Sequence, residues 1–145
     1  MTIAPYRLSE DPAELDMDRV VQWLSVDSYW AHGRPRDMVE RSFAASYPCG
    51  VYSEEHGQVA VARLVSDAAT FAWYCDVYVD AAHRGRGLGD ALTRWAVTWA
   101  EQRDVHRLLL GTRDAHEVYR RAGFRPLRHP TVFMEIDRRP QRLGD

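Results

Sequence analysis

The sequence predicts an α/β fold: a mixed, mostly antiparallel central sheet of about seven strands, flanked by about four helices. Three observations predict it. Stretches of period 2 and period 3.6 alternate in the order β-α-α-β-β-β-α-β-α-β-β. In mid-chain an aromatic, β-branched run, Phe71 to Val79, enters a turn with three glycines and then an amphipathic helix. The 145 residues, 46% hydrophobic and 28% charged, are enough for one core without disulfide staples.

Taken in order, Ile3 to Leu8 reads as a first strand. From Pro12 the apolar positions Leu15, Val20, Val21 and Leu24 fall near a helical period, until Ser25 to Pro35 breaks it with Gly33 and Pro35. Arg36 to Ala45 reads as a second helix that starts just after Pro35. Gly50–Ser53 and Gln58–Val65 are β-rich runs joined by Glu54-Glu55-His56-Gly57, a hairpin signal. Phe71–Val79 is the next strand. Leu88 to Arg103 is the clearest helix, with Leu88, Ala91, Leu92, Trp95, Ala96 and Trp99 on one stripe, which places both Trp side chains in the core. Arg107–Leu110 gives a short buried strand, and Ala115–Ala122 a short helix closed by Gly123. Phe124–Leu127 and Thr131–Ile136 are read as closing strands. The tail from Asp137 is polar and expected to fray, within a single domain spanning 1–145.

Composition excludes several function classes. A net charge of -2 lacks the basic surface that phosphate neutralisation needs, so no nucleic-acid partner is expected. No apolar run approaches a membrane span, and the residues from Met1 to Glu10 lack the regions of a signal peptide; a cytoplasmic location and no membrane partner are expected. The two cysteines, Cys49 and Cys75, are expected to be free thiols, and no Cys/His spacing suggests a metal site.

The chemistry is concentrated in Val77-Tyr78-Val79-Asp80-Ala81-Ala82-His83-Arg84-Gly85-Arg86-Gly87-Leu88-Gly89. Alternating glycines expose main-chain N–H groups, and a helix N-terminus adds unpaired donors and partial positive charge. Together they form a cradle for phosphate or pyrophosphate, and Arg84 and Arg86 add mobile positive charge beside it. The alternative is a turn that merely needs permissive backbone. A G-x-x-x-x-G-K-[ST] loop is absent, and Gly85, Gly87 and Gly89 do not fit the G-x-G-x-x-G spacing of a dinucleotide fold.

Arg84-Gly85-Arg86-Gly87-Leu88-Gly89 resembles the [QR]-x-x-G-x-[GA] signature of the GNAT superfamily of N-acetyltransferases. About 30 residues on, Val118-Tyr119-Arg120-Arg121-Ala122-Gly123-Phe124 resembles that family's Y-x-x-x-G-F element, and the similarity spans roughly Gly50 to Ile136. The resemblance implies the GNAT fold and acetyl-CoA as cosubstrate, with no metal. Main-chain amides from Gly85 through Arg86, Gly87 and Leu88 to Gly89 would hold the coenzyme pyrophosphate. Val77 and Val79 would bond the pantetheine arm where their strand splays from its neighbour. Tyr119 would be the general acid for the leaving thiolate, a role that suits a phenol protonated at neutral pH; a packed aromatic is the alternative.

The sequence departs from the family in two places. Where some members carry a base on the strand before the glycine turn, this chain has Trp73. The nearest strand carboxylate is Asp76, a second catalytic candidate, although an edge or capping Asp is an equal reading. Thr112-Arg113-Asp114-Ala115-His116 stands where the family often has an Asn. Asp114 reads as the N-cap of the short helix, and His116 is a further candidate base. The family places the acceptor around the first two helices. There Tyr29 and Trp30 offer flat apolar walls and Arg34 a planar donor suited to a carboxylate; an aromatic staple is the alternative. The expected activity is acetyl transfer to a small-molecule amine by a monomer or homodimer. A protein or peptide acceptor and a non-catalytic CoA-binding sensor are the competing readings.

Overall fold

The computed structural model of the chain describes residues 2–140. Its six strands form one sheet in the order β1 (Thr2–Ile3), β2 (Tyr6–Ser9), β3 (Tyr47–Ser53), β4 (Gly57–Ser66), β5 (Ala72–Val79) and β6 (Leu108–Leu109). All neighbours run antiparallel except β5 and β6, which are parallel. A parallel pair needs a crossover, which α3 (Leu88–Gln102) supplies. The other helices are α1 (Met17–Val21), α2 (Arg36–Ala44) and α4 (His116–Arg121).

Local chemistry explains where these elements break. Two Asp caps start two separate turns in place of the one helix expected from Pro12. Asp11 accepts from the Ala13 N–H and opens a 3-10 turn, Pro12–Glu14, while Asp16 accepts from the Arg19 N–H and opens α1. Gln22–Asp27 continues as a π-helix, closed by the Ser28 N–H on the Trp23 carbonyl at 2.8 Å. Ile3 to Leu8 is two strands and not one, because Pro5, which lacks an N–H, sits in the turn between β1 and β2.

Three layers result. On one face α3 packs over Ala60, Ala62, Leu64, Ala72 and Tyr74; on the other, Val20, Trp23, Leu24, Val39 and Phe43 pack over Val61 and Tyr78. Trp95 and Trp99 are 1% and 2% exposed, as the α3 stripe predicts. Trp99 also lies 4.9 Å from the Tyr47 ring, with the Arg103 guanidinium 4.3 Å over it. Both cysteines are free thiols, and burial pushes each up to about 12. No helix among the described residues is long and apolar enough to cross a membrane.

The two closing strands are a correction. Phe124–Leu127 forms no strand, and Thr131–Ile136 gives only a 3-10 turn at Pro130–Val132 followed by irregular chain. The apolar/polar alternation is present, but Pro126 and Pro130 each remove a ladder donor, and Met134 and Ile136 stand 96% and 81% exposed. Among the described residues the sheet therefore has six strands where about seven were expected, within the same mixed, mostly antiparallel fold. Of the tail expected to fray, 141–145 lies outside the described residues.

Trp95→Ala is expected to cost about 3–5 kcal/mol in urea denaturation, the sum of lost burial and a residual cavity. A loss below about 1 kcal/mol, the scale of surface substitutions, would contradict the placement of Trp95 at the centre of the α3 face.

Candidate active site

The site begins at an irregularity in β5. Val61 pairs with Tyr78 and Arg63 with Cys75, so Asp76 and Val77 together oppose Ala62 alone. This is a β-bulge, and Asp76 adopts a φ of 52° there, rare for a non-glycine residue. The extra residue shifts the alternation of the strand. Ala72 and Tyr74 face α3 before the bulge, Val77 and Val79 face it afterwards, and Tyr78 faces α1 and α2. Asp76 is thereby turned toward the α1–α2 side, although it stands two residues from Tyr74.

There its carboxylate is fully engaged. Oδ2 accepts from Arg63 Nε at 2.7 Å and from Arg34 at 2.9 Å, and Oδ1 accepts from the Trp30 indole at 3.0 Å. Arg63 also donates to Ser46 Oγ at 2.9 Å and lies over the Phe43 ring. Burial alone would raise the Asp76 carboxyl; the charges and hydrogen bonds of Arg63 and Arg34 outweigh it and hold the group below the usual range. A carboxylate held in this way has the environment of an anchor, the structural alternative weighed for Asp76 beside the catalytic one.

On its other edge β5 is open. β6 pairs only with Ala72 and Trp73 and then stops. The Asp80 N–H bonds the Val59 carbonyl on the β4 side, so main-chain alternation turns the polar groups of Val79, and of Val77 two residues earlier, toward this gap. The splay inferred for Val77 and Val79 is therefore present. The Val79 carbonyl already accepts from Arg84 Nε at 3.0 Å, which leaves its N–H facing the gap.

The gap leads to the glycine turn. Gly85 and Gly87 have φ of 76° and 79°. A Cβ at Gly85 or Gly89 would meet nothing within 4 Å, and no side chain caps the N-terminus of α3 at Gly87. The donors from Gly85 to Gly89 therefore border open space, as a bound pyrophosphate needs. Both arginines have partners within the protein. Arg84 folds back on Val79 with its guanidinium 5.2 Å from the Tyr78 ring centre, and Arg86 donates to Tyr6 Oη at 3.0 Å.

Tyr119 comes from α4. Its ring meets Tyr74 edge-on at 6.2 Å and Phe124 at 6.0 Å, and it borders a cavity of about 950 Å³ beyond β6. Its hydroxyl makes no hydrogen bond among the described residues. Burial, then the proximity of Tyr29 and Asp114, raises its pKa above the ordinary phenol value, so the proton is retained at neutral pH. Tyr29 bridges the α1–α2 loop to this region: it stacks under Arg113 at 4.3 Å and meets Trp30 edge-on at 5.2 Å. Tyr29, near enough to Tyr119 to act on it electrostatically, thus meets Trp30, whose indole reaches the Asp76–Arg34 pair.

Asp114 is not the cap of α4. Ala115 takes that position, and its N–H is satisfied by Thr112 Oγ1 at 3.1 Å, because Thr112 stands three residues ahead. His116, in the first turn of α4, is exposed. Arg63 and Ser46 were missed by the sequence reading. The available signal was a charge in the middle of an apolar strand, Val59-Ala60-Val61-Ala62-Arg63-Leu64-Val65, matched by Asp76 on the next one.

Comparison with known proteins agrees with this geometry. Residues 17–124 match the model of the acetyltransferase (GNAT) family. The crystal structure of a GNAT-family protein from Xanthomonas campestris pv. campestris superposes with a TM-score of 0.87 at 36% identity, covering 94% of this chain and 95% of that one. A Gibberella zeae protein, named as an acetyltransferase, is 29% identical over 88% of this chain and 83% of its own length. Histone acetyltransferase TAP1 of Glycine max is 36% identical over 73 residues, 50% of this chain and 32% of that protein.

Asp76→Asn should cost about 3–5 kcal/mol at neutral pH, because it leaves two part-buried guanidinium groups without their counter-charge. The folded-state pKa of Asp76 is depressed, so its stabilisation is present above the unfolded carboxyl pKa of about 4 and fades as pH falls through the folded value. Denaturation of the two proteins across pH should show their stability difference shrinking toward acid. A difference that grows below pH ~4 contradicts the ion-pair assignment.

Proposed function

Because the chain belongs to the acetyltransferase (GNAT) family, we propose that it transfers the acetyl group of acetyl-CoA to a primary amine of a small molecule, with Tyr119 as general acid. The observation that carries the reading is the Tyr119 hydroxyl. It is part-buried, keeps its proton, has no competing acceptor among the described residues, and belongs to the same core cluster as Val77 and Val79.

The donors from Gly85 to Gly89 hold the pyrophosphate, and the gap-facing main chain of Val77 and Val79 binds the pantetheine. The neutral amine attacks the thioester carbonyl carbon, forming the C–N bond. The C–S bond breaks as the Tyr119 proton passes to sulfur, and the proton shed by nitrogen returns through water to the phenolate. The edge-on pair Tyr29 and Trp30, backed by Arg113, supports a walled acceptor site on the α1–α2 side. A lysine-bearing peptide is the competing acceptor and belongs in the same assays. No group of His, Cys, Asp and Glu that could hold a metal ion is found among the described residues, and the proposed chemistry uses none.

Tyr119→Phe keeps the ring and deletes only the proton. Acetyl-CoA affinity by calorimetry should be retained while turnover falls roughly 10²–10⁴-fold, the usual share of general acid help. Full kcat with chemistry rate-limiting would remove Tyr119 from the mechanism. Gly87→Val places a β-branched residue at a φ of 79° and a methyl group in the cradle. It should abolish measurable acetyl-CoA binding in a chain whose circular dichroism remains native, and undiminished affinity would refute the pyrophosphate site.

A further inference from the structure

The cluster around Asp76 is not electrically balanced. Arg34 and Arg63 contribute two positive charges and Asp76 one negative, with the guanidinium side chains only 19% and 13% exposed. The other titratable neighbour, Cys75, remains a neutral thiol. One uncompensated positive charge in a largely desolvated place is costly unless an anion joins it.

The unsatisfied group can be identified. Arg63 is committed on two sides, through Nε to Asp76 and through a terminal nitrogen to Ser46, with its face on Phe43. Both oxygens of Asp76 are occupied. The Arg34 guanidinium donates one bond, to Asp76, and its remaining side-chain donors have no partner among the described residues. A guanidinium braced at one corner, with its other side-chain donors unpartnered among the described residues, is a ready fork for an oxyanion.

We infer that Arg34 seats a carboxylate of the acceptor, so that the substrate is a small amino acid or similar amine bearing an acid group, with Asp76 and Arg63 as positioning residues. This rests on the acetyl-transfer reading, for which it names the acceptor. The seat is next to the chemistry: Asp76 precedes Val77, whose main chain faces the gap, and the Trp30–Tyr29 pair leads from the seat to Tyr119. A monoanion cancels the single excess charge. A phosphate monoester, which carries about -1.5 to -2 at neutral pH, would overshoot it.

The test uses the wild-type protein with acetyl-CoA and thiol release as readout. The panel comprises the common α-amino acids, β-alanine and γ-aminobutyrate, each beside its methyl ester and its aminophosphonate counterpart, with a lysine peptide as a further acceptor. At least one free acid should exceed its ester by roughly 10²-fold in kcat/KM, the scale on which losing a charged hydrogen-bond partner acts. In Arg34→Lys, which keeps the charge but not the fork, and in Arg34→Gln, the KM for that acid should rise and the acid-to-ester ratio should collapse toward one. Asp76→Asn should raise the same KM through loss of positioning. Calorimetry of the N-acetylated acids and their methyl esters, with CoA present, reads the seat without turnover: the acids should bind and lose affinity in Arg34→Gln.

Esters turning over as well as acids, preference for the phosphonates or the peptide, or an undiminished acid-to-ester ratio in Arg34→Gln would each overturn the carboxylate seat while leaving acetyl transfer standing. If acetyl-CoA binds but no amine is acetylated, the transfer reading fails, and the binding arm still decides the seat by whether the acids bind more tightly than the esters.

Discussion

Everything in the site is referred to one buried contact, the carboxylate of Asp76 held between the guanidinium groups of Arg63 and Arg34. A residue with positive φ inside a strand costs on the order of 1–3 kcal/mol. Hydrogen bonds to charged groups return roughly 1.5–3 kcal/mol each, and Asp76 accepts three. The balance favours the bulge, and the two arginines are the counter-charges of the desolvated carboxylate. Arg63 comes from the neighbouring strand and Arg34 from the loop after the first helical segment, so one carboxylate fixes strand pairing and loop position together.

The bulge then sets what each face of β5 can do. Without the inserted residue, Val77 and Val79 would exchange faces with Tyr78, and the apolar cluster under α3 would lose two members. With it, the strand turns its main-chain groups at Val77 and Val79 toward an edge that β6 leaves open. β6 can be so short because the apolar run Leu108-Leu109-Leu110 ends at Gly111, where a Cβ would come within 3.4 Å of the Trp73 ring. A side chain pressed against the position where the ladder would continue favours early divergence of the two strands.

Local patterns in the sequence foretold the parts of this arrangement that depend on local physics. The stripe of α3 is set by residues close in sequence, and the structure agrees with it. The reading failed where a distant partner decides. Asp76 is disfavoured in a strand, and nothing near it in the chain says that Arg63 and Arg34 will meet it. Asp114 has the chemistry of a cap, but Thr112 is better placed by one turn of backbone. The run from Thr131 to Ile136 alternates as a strand should, yet alternation specifies a face and not a partner. Pro126 and Pro130 withhold the donors with which a ladder would begin.

The glycine turn shows the same dependence at longer range. Gly85 and Gly87 permit left-handed backbone but do not select one conformation, since glycine loses more freedom on folding than any other residue. Selection comes from side chains beside the turn. Arg86 can only donate, so Tyr6 Oη accepts from it, and the same hydroxyl shares a second hydrogen bond with His83 Nδ1 at 2.9 Å. The His83 imidazole packs edge-on against Tyr6 and His56. His83, buried just before the turn, and Arg86, within it, are thus both tied to β2, some eighty residues away in the chain. The glycine turn is therefore braced from β2, and for the proposed pyrophosphate site this would place the ordering cost on folding and not on binding.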